Sequence, residues 1–457
     1  MKRREFLKLL GLAGLGGVGQ FGCAATHTRR HSDSGLTHCY VCGEVTDNGA
    51  LVWLRAEPGS RAALHYGKDP GFAEFSSTGL ISVDPEADST AIIPLDALEP
   101  ATRYYYRAAV AGKKPGPVAT FVTAPRFDDN AKVSFCFSGD TRDSYKPFTV
   151  MHAVHSRWPD FFMHLGDTIY ADINGAARQL PEFWAKYRRN REDLSTEGCF
   201  CATSVYAIWD DHEVVNDFGP GHQLAPLGRK AFLDYWPVRQ RDSEENRIYR
   251  SFRWGRAAEI FILDVRQYRN AAKNTMLGAT QKRWLFDALA DSSATFKFIA
   301  TPVPMAGGGG DRWDGYPKER QEIFTFIKQK KISGVAFLSA DLHYAAITKL
   351  PNSGGLKDIT AGPIAAPVNR VTNGTAARYE YFLAENFNFA KITIDPKIDA
   401  RKAVVEFIDQ DNQVFHTANA GGAWTNITGN LMSIAGSVLQ SIEFIGGSVG
   451  AVLVGGN

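Results

Sequence analysis

Apolar runs that end in aspartate recur along the middle of this chain, and they constrain its fold more than any other feature. Residues 132–138 lead into Gly139-Asp140, and 160–165 into Gly166-Asp167. Residues 204–209 lead into Asp210-Asp211-His212, 258–263 into Asp264, and 334–339 into Ala340-Asp341-Leu342-His343. Residues 296–300 form a further apolar run, and 147–157 read as a helix. Short, nearly continuous apolar runs between helical segments are buried strands of an α/β sheet. Carboxylates at the carboxyl ends of such strands converge on one rim. A lone strand-end Asp is more often a helix cap than a ligand. Four of them, Asp140, Asp167, Asp211 and Asp341, with His212 and His343 close by, are a different matter. Gathering them without counter-charge is prohibitive. A pair of metal ions supplies that charge: carboxylates suit Ca, Mg, Mn and Fe(III), and imidazole adds affinity for transition metals.

The segment from about 35 to 125 follows another pattern. Residues 50–54, 62–66, 91–95 and 103–110 are β-rich and punctuated by Gly, Pro, Asn and Asp. That spacing predicts a small antiparallel sandwich. Leu98-Glu99-Pro100 followed by Tyr104-Tyr105-Tyr106 is similar to the tyrosine-bearing strand of fibronectin-type modules. A packing role beside an enzyme is the expectation for this module, and a binding role the alternative. With 457 residues, two or three domains are expected. A net charge of +2 gives no field for collecting nucleic-acid backbones. Cys39-x-x-Cys42 is half a metal site or a redox pair, and without a second such motif it does not make a zinc site. Cys199 and Cys201 are too close to bridge each other without strain and read as structural.

Four motifs occur in order: Gly139-Asp140-x-Arg142, His164 to Asp172 with Gly166-Asp167-x-x-Tyr170, Trp209 to Asp217, and Leu338 to His343. Together they resemble the PhoD-like alkaline phosphatases and phosphodiesterases, of calcineurin-like metallophosphoesterase architecture. Residues 247–255, 263–269 and 360–363 add further matches, and the likeness spans about 35–415. It implies a metallophosphoesterase-type β-sandwich flanked by helices, preceded by a small all-β fibronectin/Ig-like domain. It also implies that Asp167 bridges two metals and that Tyr170 ligates ferric iron. Asp211, Asn216, Asp341 and His343 follow as further ligands. The family's cofactors are Fe(III) with Ca. An ungapped alignment, however, sets Asp140 where the family carries a cysteine ligand, and leaves Cys136 inside the strand as core. A hard carboxylate in place of a thiolate favours an oxygen-rich site, including a divalent pair of the Mn, Zn or Mg type.

His212 is expected to stabilise charge or protonate a leaving alkoxide. Arg142 suits a phosphate oxygen, the alternative being a surface pair with Asp143. Asp172 is a supporting carboxylate. Arg266 and Arg269 read as ion-paired core-edge residues, and His152, His155 and His164 as surface or packing residues. Tyr187 reads as packing. Gly307 to Gly310 lacks the ending of a nucleotide loop and reads as a loop over the site, with Trp313 and Tyr316 facing substrate.

The chain opens with Arg3-Arg4-x-Phe6-Leu7-Lys8 and then an uncharged stretch, the form of a twin-arginine export signal. Cys23 after Gly22 fits a lipidated cysteine, with cleavage near Ala24-Ala25 as the alternative. The tail, 419–457, is apolar and Gly-rich, and suits packing, association or membrane contact. The resulting division is 1–34 signal and linker, 35–125 sandwich, 130–418 catalytic domain, 419–457 tail. The expected function is hydrolysis of small phosphomonoesters or phosphodiesters outside the cytoplasm, in the periplasm, envelope or medium. The alternatives are a phospholipase D-like phosphodiesterase and a non-catalytic envelope binding protein of this fold.

Overall fold

The computed structural model describes residues 33–421, apart from 241–243, 245, 308 and 371–377. The export signal, Cys23 and nearly all of the tail lie outside the described residues.

The first strands are β1 (Val41–Gly43), β2 (Ala50–Arg55), β3 (Arg61–Gly67), β4 (Ser76–Ser77), β5 (Ile81–Ser82), β6 (Thr90–Leu95), β7 (Arg103–Val110) and β8 (Ala119–Val122). They form two antiparallel sheets, β1-β2-β6 and β4-β3-β7-β8, with β5 beside β3. Along β7 every second residue is buried, the period that a strand with one core face requires. The Tyr104 hydroxyl accepts the Glu99 N–H at 3.0 Å, closing the corner that the sequence suggested.

The following strands are β9 (Val133–Ser138), β10 (Phe161–Leu165), β11 (Ser204–Ile208), β12 (Arg250–Trp254), β13 (Ala258–Ile262), β14 (Phe296–Ala300) and β15 (Val335–Ser339). Then come β16 (Ala345–Lys349), β17 (Lys357–Thr360), β18 (Tyr379–Leu383), β19 (Asn388–Ile394), β20 (Ala403–Asp409) and β21 (Val414–Asn419). One sheet has the order β11-β10-β9-β19-β20-β21 and the other β12-β13-β14-β15-β17-β16-β18. Their inner faces meet at Phe135 and Phe298, with ring centroids 5.3 Å apart, and at Phe161 and Trp254, 4.6 Å apart.

The helices are α1 (Thr149–Ser156), α2 (Leu180–Arg191), α3 (Leu194–Ala202), α4 (Ala225–Tyr235), α5 (Gly278–Asp291), α6 (Pro317–Gln329) and the single-turn α7 (Pro396–Asp399). Alternation along β13 shows why α5 and α6 are needed. Ile260 and Ile262 join the core between the sheets, whereas Phe261 joins a separate core with Leu285 and Leu289 of α5 and Ile323 and Phe324 of α6. A strand buried on both faces must be apolar throughout, as these runs are.

The first sandwich is tightly fixed to the second part. Trp53 donates to the Asp234 carbonyl at 2.7 Å, and the Tyr206 hydroxyl to the Val45 carbonyl at 2.6 Å. Cys39 is bonded to Cys201 of α3. The half-site and redox-pair readings of Cys39-x-x-Cys42 are thereby corrected: Cys39 pairs across the interface, and Cys42 is a buried free thiol.

Candidate metal centre

The parallel strands β9, β10 and β11 in one sheet, and β15 in the other, deliver their carboxyl ends to one rim. Asp140 (φ 69°), Asp167 (φ 53°), Asp341 (φ 64°) and His343 (φ 57°) all adopt left-handed backbone conformations there. Such conformations are costly for these residues and cluster where function over-determines the backbone. Two glycines allow the crowding. Gly166 has φ +98°, and a Cβ on it would meet Asp210 Cβ at 2.5 Å. A Cβ on Gly362 would come within 2.8 Å of Asp140 Oδ2.

Among the described residues three donor groups result; in one, Asp211, Asp217 and Asp311, the last acid is held by Arg266 and Arg269, and the other two share a member. Asp140, Asp167 and His343 present ligand atoms within 4.8 Å of one another, as do Asp167, Asp211 and His212. Asp167 belongs to both. His343 Nδ1 lies 2.6 Å from the Pro367 carbonyl, which can only accept. This fixes Nδ1 as the donor and turns Nε2 towards Tyr170 Oη and Asp140 Oδ1, each 3.3 Å away. A backbone carbonyl commonly sets the tautomer of a ligating histidine in this way. His212 is oriented alike, its Nδ1 lying 2.8 Å from Asp172 Oδ1. Its ring centroid lies 4.3 Å from that of Tyr170.

Burial pushes the Asp167 carboxyl well above the carboxylate range, and Asp211, Asp210, Glu213 and Asp140 push it further. Burial and the Asp167, Asp140, Asp211 and Asp341 carboxylates raise the Tyr170 phenol likewise. Burial alone would raise Asp211, but Arg266, His212, the Asp217 N–H and Arg312 bring it down to about 2. Burial would lower His212, but its Asp172 hydrogen bond and the charges of Asp211, Asp172 and Glu213 outweigh it and raise it. Asp140 Oδ2 and Asp211 Oδ1 are buried without a hydrogen-bond partner. An unpaired buried carboxylate oxygen costs several kcal/mol, on the order of 1–3 or more. The donor set therefore fits hard cations: it offers charge, oxygen ligands, two imidazoles and orphaned oxygens that a cation would satisfy.

Of the other candidates, Asn216 is exposed; its backbone N–H, at 2.9 Å, reaches Asp172 Oδ2. The Arg142 guanidinium lies over the Tyr170 ring, 5.9 Å from its centroid, and its buried Nε has no partner. Asp143 pairs instead with Arg189, at 3.6 Å. Asp341 is engaged by Arg312, whose Nη2 donates to Oδ1 at 2.9 Å and whose Nε donates to Oδ2. Trp313 and Tyr316 do not face substrate. Trp313 is fully buried, donating to Thr301 Oγ1 at 3.1 Å, and both rings belong to the core under α5 and α6. His164 bonds Thr141 at 3.1 Å and Thr168 at 3.3 Å, a packing role. His152 is exposed on α1, its ring 6.2 Å from that of His155. Tyr187 stacks on Tyr235, with centroids 4.9 Å apart.

Sequence reasoning missed several residues. Glu213 is fully buried and accepts the N–H groups of Asp167 (3.0 Å), Thr168 (2.6 Å) and Asp210 (2.8 Å), clamping two strand ends together. Burial pushes it up to about 7, against the pull of those N–H groups. Arg266, fully buried, binds Asp210 at 2.6 Å and Asp211 at 3.4 Å, and with Arg269 holds Asp311. Its ion-paired character was legible; its partners were not. The adjacency of Asp210 and Asp211 was the available signal, since one strand end cannot hold two buried acids without a cation.

The sequence model of the family described as PhoD-like phosphatase matches residues 135–393, which carry every donor named above. The chain belongs to the PhoD-like phosphatase family. The family's N-terminal domain matches residues 22–125. Alkaline phosphatase D of Bacillus subtilis (strain 168) is 26% identical over 368 residues, 66% of this chain. The chain spans 63% of that relative's length. Among solved structures, that of PhoD superposes with a TM-score of 0.74 at 19% identity, covering 86% of this chain and 93% of its own. A purple acid phosphatase from yellow lupin seeds superposes with a TM-score of 0.63 at 12% identity, covering 84% of this chain and 74% of its own. These likenesses show a shared fold. Within it, Asp140 stands at the end of β9 among the donors, and Cys136, which the family likeness had left in the strand, is fully buried there.

Proposed function

We propose that this protein is a metal-dependent hydrolase of small phosphate esters, mono- or diesters, working outside the cytoplasm. The observation that carries this reading is the pair of donor groups sharing Asp167, with an unpaired arginine at their edge. Asp140, Asp167, Tyr170 and His343 would hold one cation, and Asp167 and Asp211 the other, with Asn216 a further donor and His212 left free to act as the acid. Bound there, cations supply Lewis-acid polarisation of the phosphoryl group and a nucleophile of lowered pKa. With a carboxylate at 140 rather than a thiolate, an oxygen-rich pair of the Mn, Zn or Mg type is an alternative to Fe(III) with Ca.

The chain's own residues do the rest. Arg142 binds a phosphate oxygen, its guanidinium being free to offer paired N–H groups. His212, held by Asp172, carries a proton that it can deliver to the leaving alkoxide. Glu213 and the glycines at 166 and 362 keep the donors in register. The Cys39–Cys201 disulfide supports the export reading, because such bonds persist in oxidising compartments. The division into a 35–125 sandwich and a 130–418 catalytic domain belongs to the same proposal.

The test is elemental analysis of the purified protein beside hydrolysis of p-nitrophenyl phosphate and bis-p-nitrophenyl phosphate. Bound metal with turnover is the expected result. No metal and no turnover after reconstitution would sink the proposal. Iron with calcium, or two like divalent ions, would decide the cluster type.

A further inference from the structure

The acids at the rim are not all in the same condition. Asp140 Oδ2 and Asp211 Oδ1 are without partners, whereas both oxygens of Asp341 are taken by the Arg312 fork. The Asp341 side chain is only 7% exposed, so this is an interior ion pair. Asp341 follows β15 in the same way that Asp140 follows β9, with the same left-handed backbone. It stands where the fold would offer another oxygen ligand, yet it is absent from all three donor groups.

Arg312 is not a wandering surface residue. Its neighbour Asp311 is gripped by Arg266 at 2.9 Å and by Arg269 at 2.5 Å. Asp314 accepts the Gly307 N–H at 2.7 Å and is paired with Arg320. Gly315 folds back so closely on Gly310 that a Cβ would collide with its carbonyl oxygen. The turn therefore aims the guanidinium at Asp341.

We propose that Arg312 is a tethered counter-cation that competes with a metal ion for Asp341, so that the last ion to load must displace the guanidinium. The fork takes both Asp341 oxygens, so an ion that binds either must displace an N–H donor and sit against a fixed positive charge. Metal uptake and release of Arg312 are then one coupled event, and the weakest-bound ion is weak because of this arginine. The freed guanidinium remains beside the centre. The inference rests on the metallohydrolase reading above.

The experiment is calorimetric titration of the chelator-stripped full chain with Mn2+, with elemental analysis of the loaded protein. Arg312→Gln keeps most of the side-chain volume and removes the charge. It should bind the weakest-held Mn2+ at least about tenfold more tightly than the unsubstituted protein. In an Asp341→Asn background the same change should give no gain, as expected if the two residues act on each other. Equal or weaker binding by a folded Arg312→Gln protein overturns the proposal, as does a gain that survives Asp341→Asn. Should Arg312→Gln fail to fold, Arg312→Met decides: it removes the charge and the fork but keeps an unbranched stem, and binding no tighter than the unsubstituted protein's overturns the proposal. If the unsubstituted protein binds no Mn2+ and hydrolyses nothing with any metal, the metallohydrolase reading falls and takes this one with it. If it binds and turns over while Arg312→Gln changes nothing, only this inference fails.

Discussion

Two interior aspartates face opposite situations. Asp88 lies where the first sandwich meets α2 and α4. Arg55 donates to both of its oxygens at 3.0 and 3.1 Å, Arg188 donates at 2.5 Å, and Tyr235 adds a hydroxyl. Burial alone would raise its carboxyl, but those donors outweigh burial and hold it below the usual range. Asp167 receives one N–H, from His212 at 3.2 Å, and faces four other acids. The interface completes its own electrostatics from within the chain. The rim does so only in part, through Arg266 and Arg312, and leaves Asp140 Oδ2 and Asp211 Oδ1 without partners, a deficit that cations from solution could meet. A buried acid is thus a structural part or a functional one according to whether the fold supplies its counter-ion.

The largest expected effect separates the two directly. Asp167→Asn should lower kcat/KM by roughly a thousandfold or more, since it removes the donor common to both groups. Its thermal midpoint in chelator should not fall, because the substitution relieves repulsion instead of breaking a pair. A variant that unfolded easily would place Asp167 with Asp88 as a structural residue.

Metal removal comes next. A ligand present at a hundred times its Kd stabilises the folded state by about 2.7 kcal/mol. Chelation should therefore lower the thermal midpoint of the unsubstituted protein, and much less that of Asp167→Asn. Equal shifts in both would mean that the metal binds elsewhere.

The interface should show the converse. Asp88→Ala leaves Arg55 and Arg188 without their carboxylate, at a cost of about 2 kcal/mol. The urea midpoint should fall while kcat per folded molecule stays the same. A loss of turnover at an unchanged midpoint would couple the interface to the rim.

The contrast between these acids also marks what sequence can reveal. The strands were legible because apolar runs of five or six residues have few other uses, and the donors because they follow those runs at once. Asp140, Asp167, Asp211, His212 and His343 were found in this way. Their counter-ions were not, because Arg266 and Arg312 are 45 and 29 residues or more from the acids they meet and carry no local pattern. Trp313 and Tyr316 follow a glycine run as loop residues do, and only the packing of α5 and α6 shows them to be core. Cys39 finds Cys201 across 162 residues, a pairing no spacing rule supplies.

The smallest expected effect is also the most diagnostic, because it asks whether the Asp88 interaction is one of charge. A carboxyl held below its unfolded value, near 3.9, contributes stability that is fully present above that pH. The contribution is lost as pH falls through the lower, folded value. Asp88→Asn keeps the shape and some of the hydrogen bonding, so its difference from the unsubstituted protein isolates the charge. Part of that charge is screened, since Asp88 is only half-buried, and the gap near neutrality should be about 1 kcal/mol. Urea midpoints measured in chelator should hold that gap from pH 7 to about 5, then close it below about pH 4. A gap constant down to pH 3 would mean that neutral hydrogen bonds hold the interface. The contrast with Asp167 would then be one of geometry and not of charge.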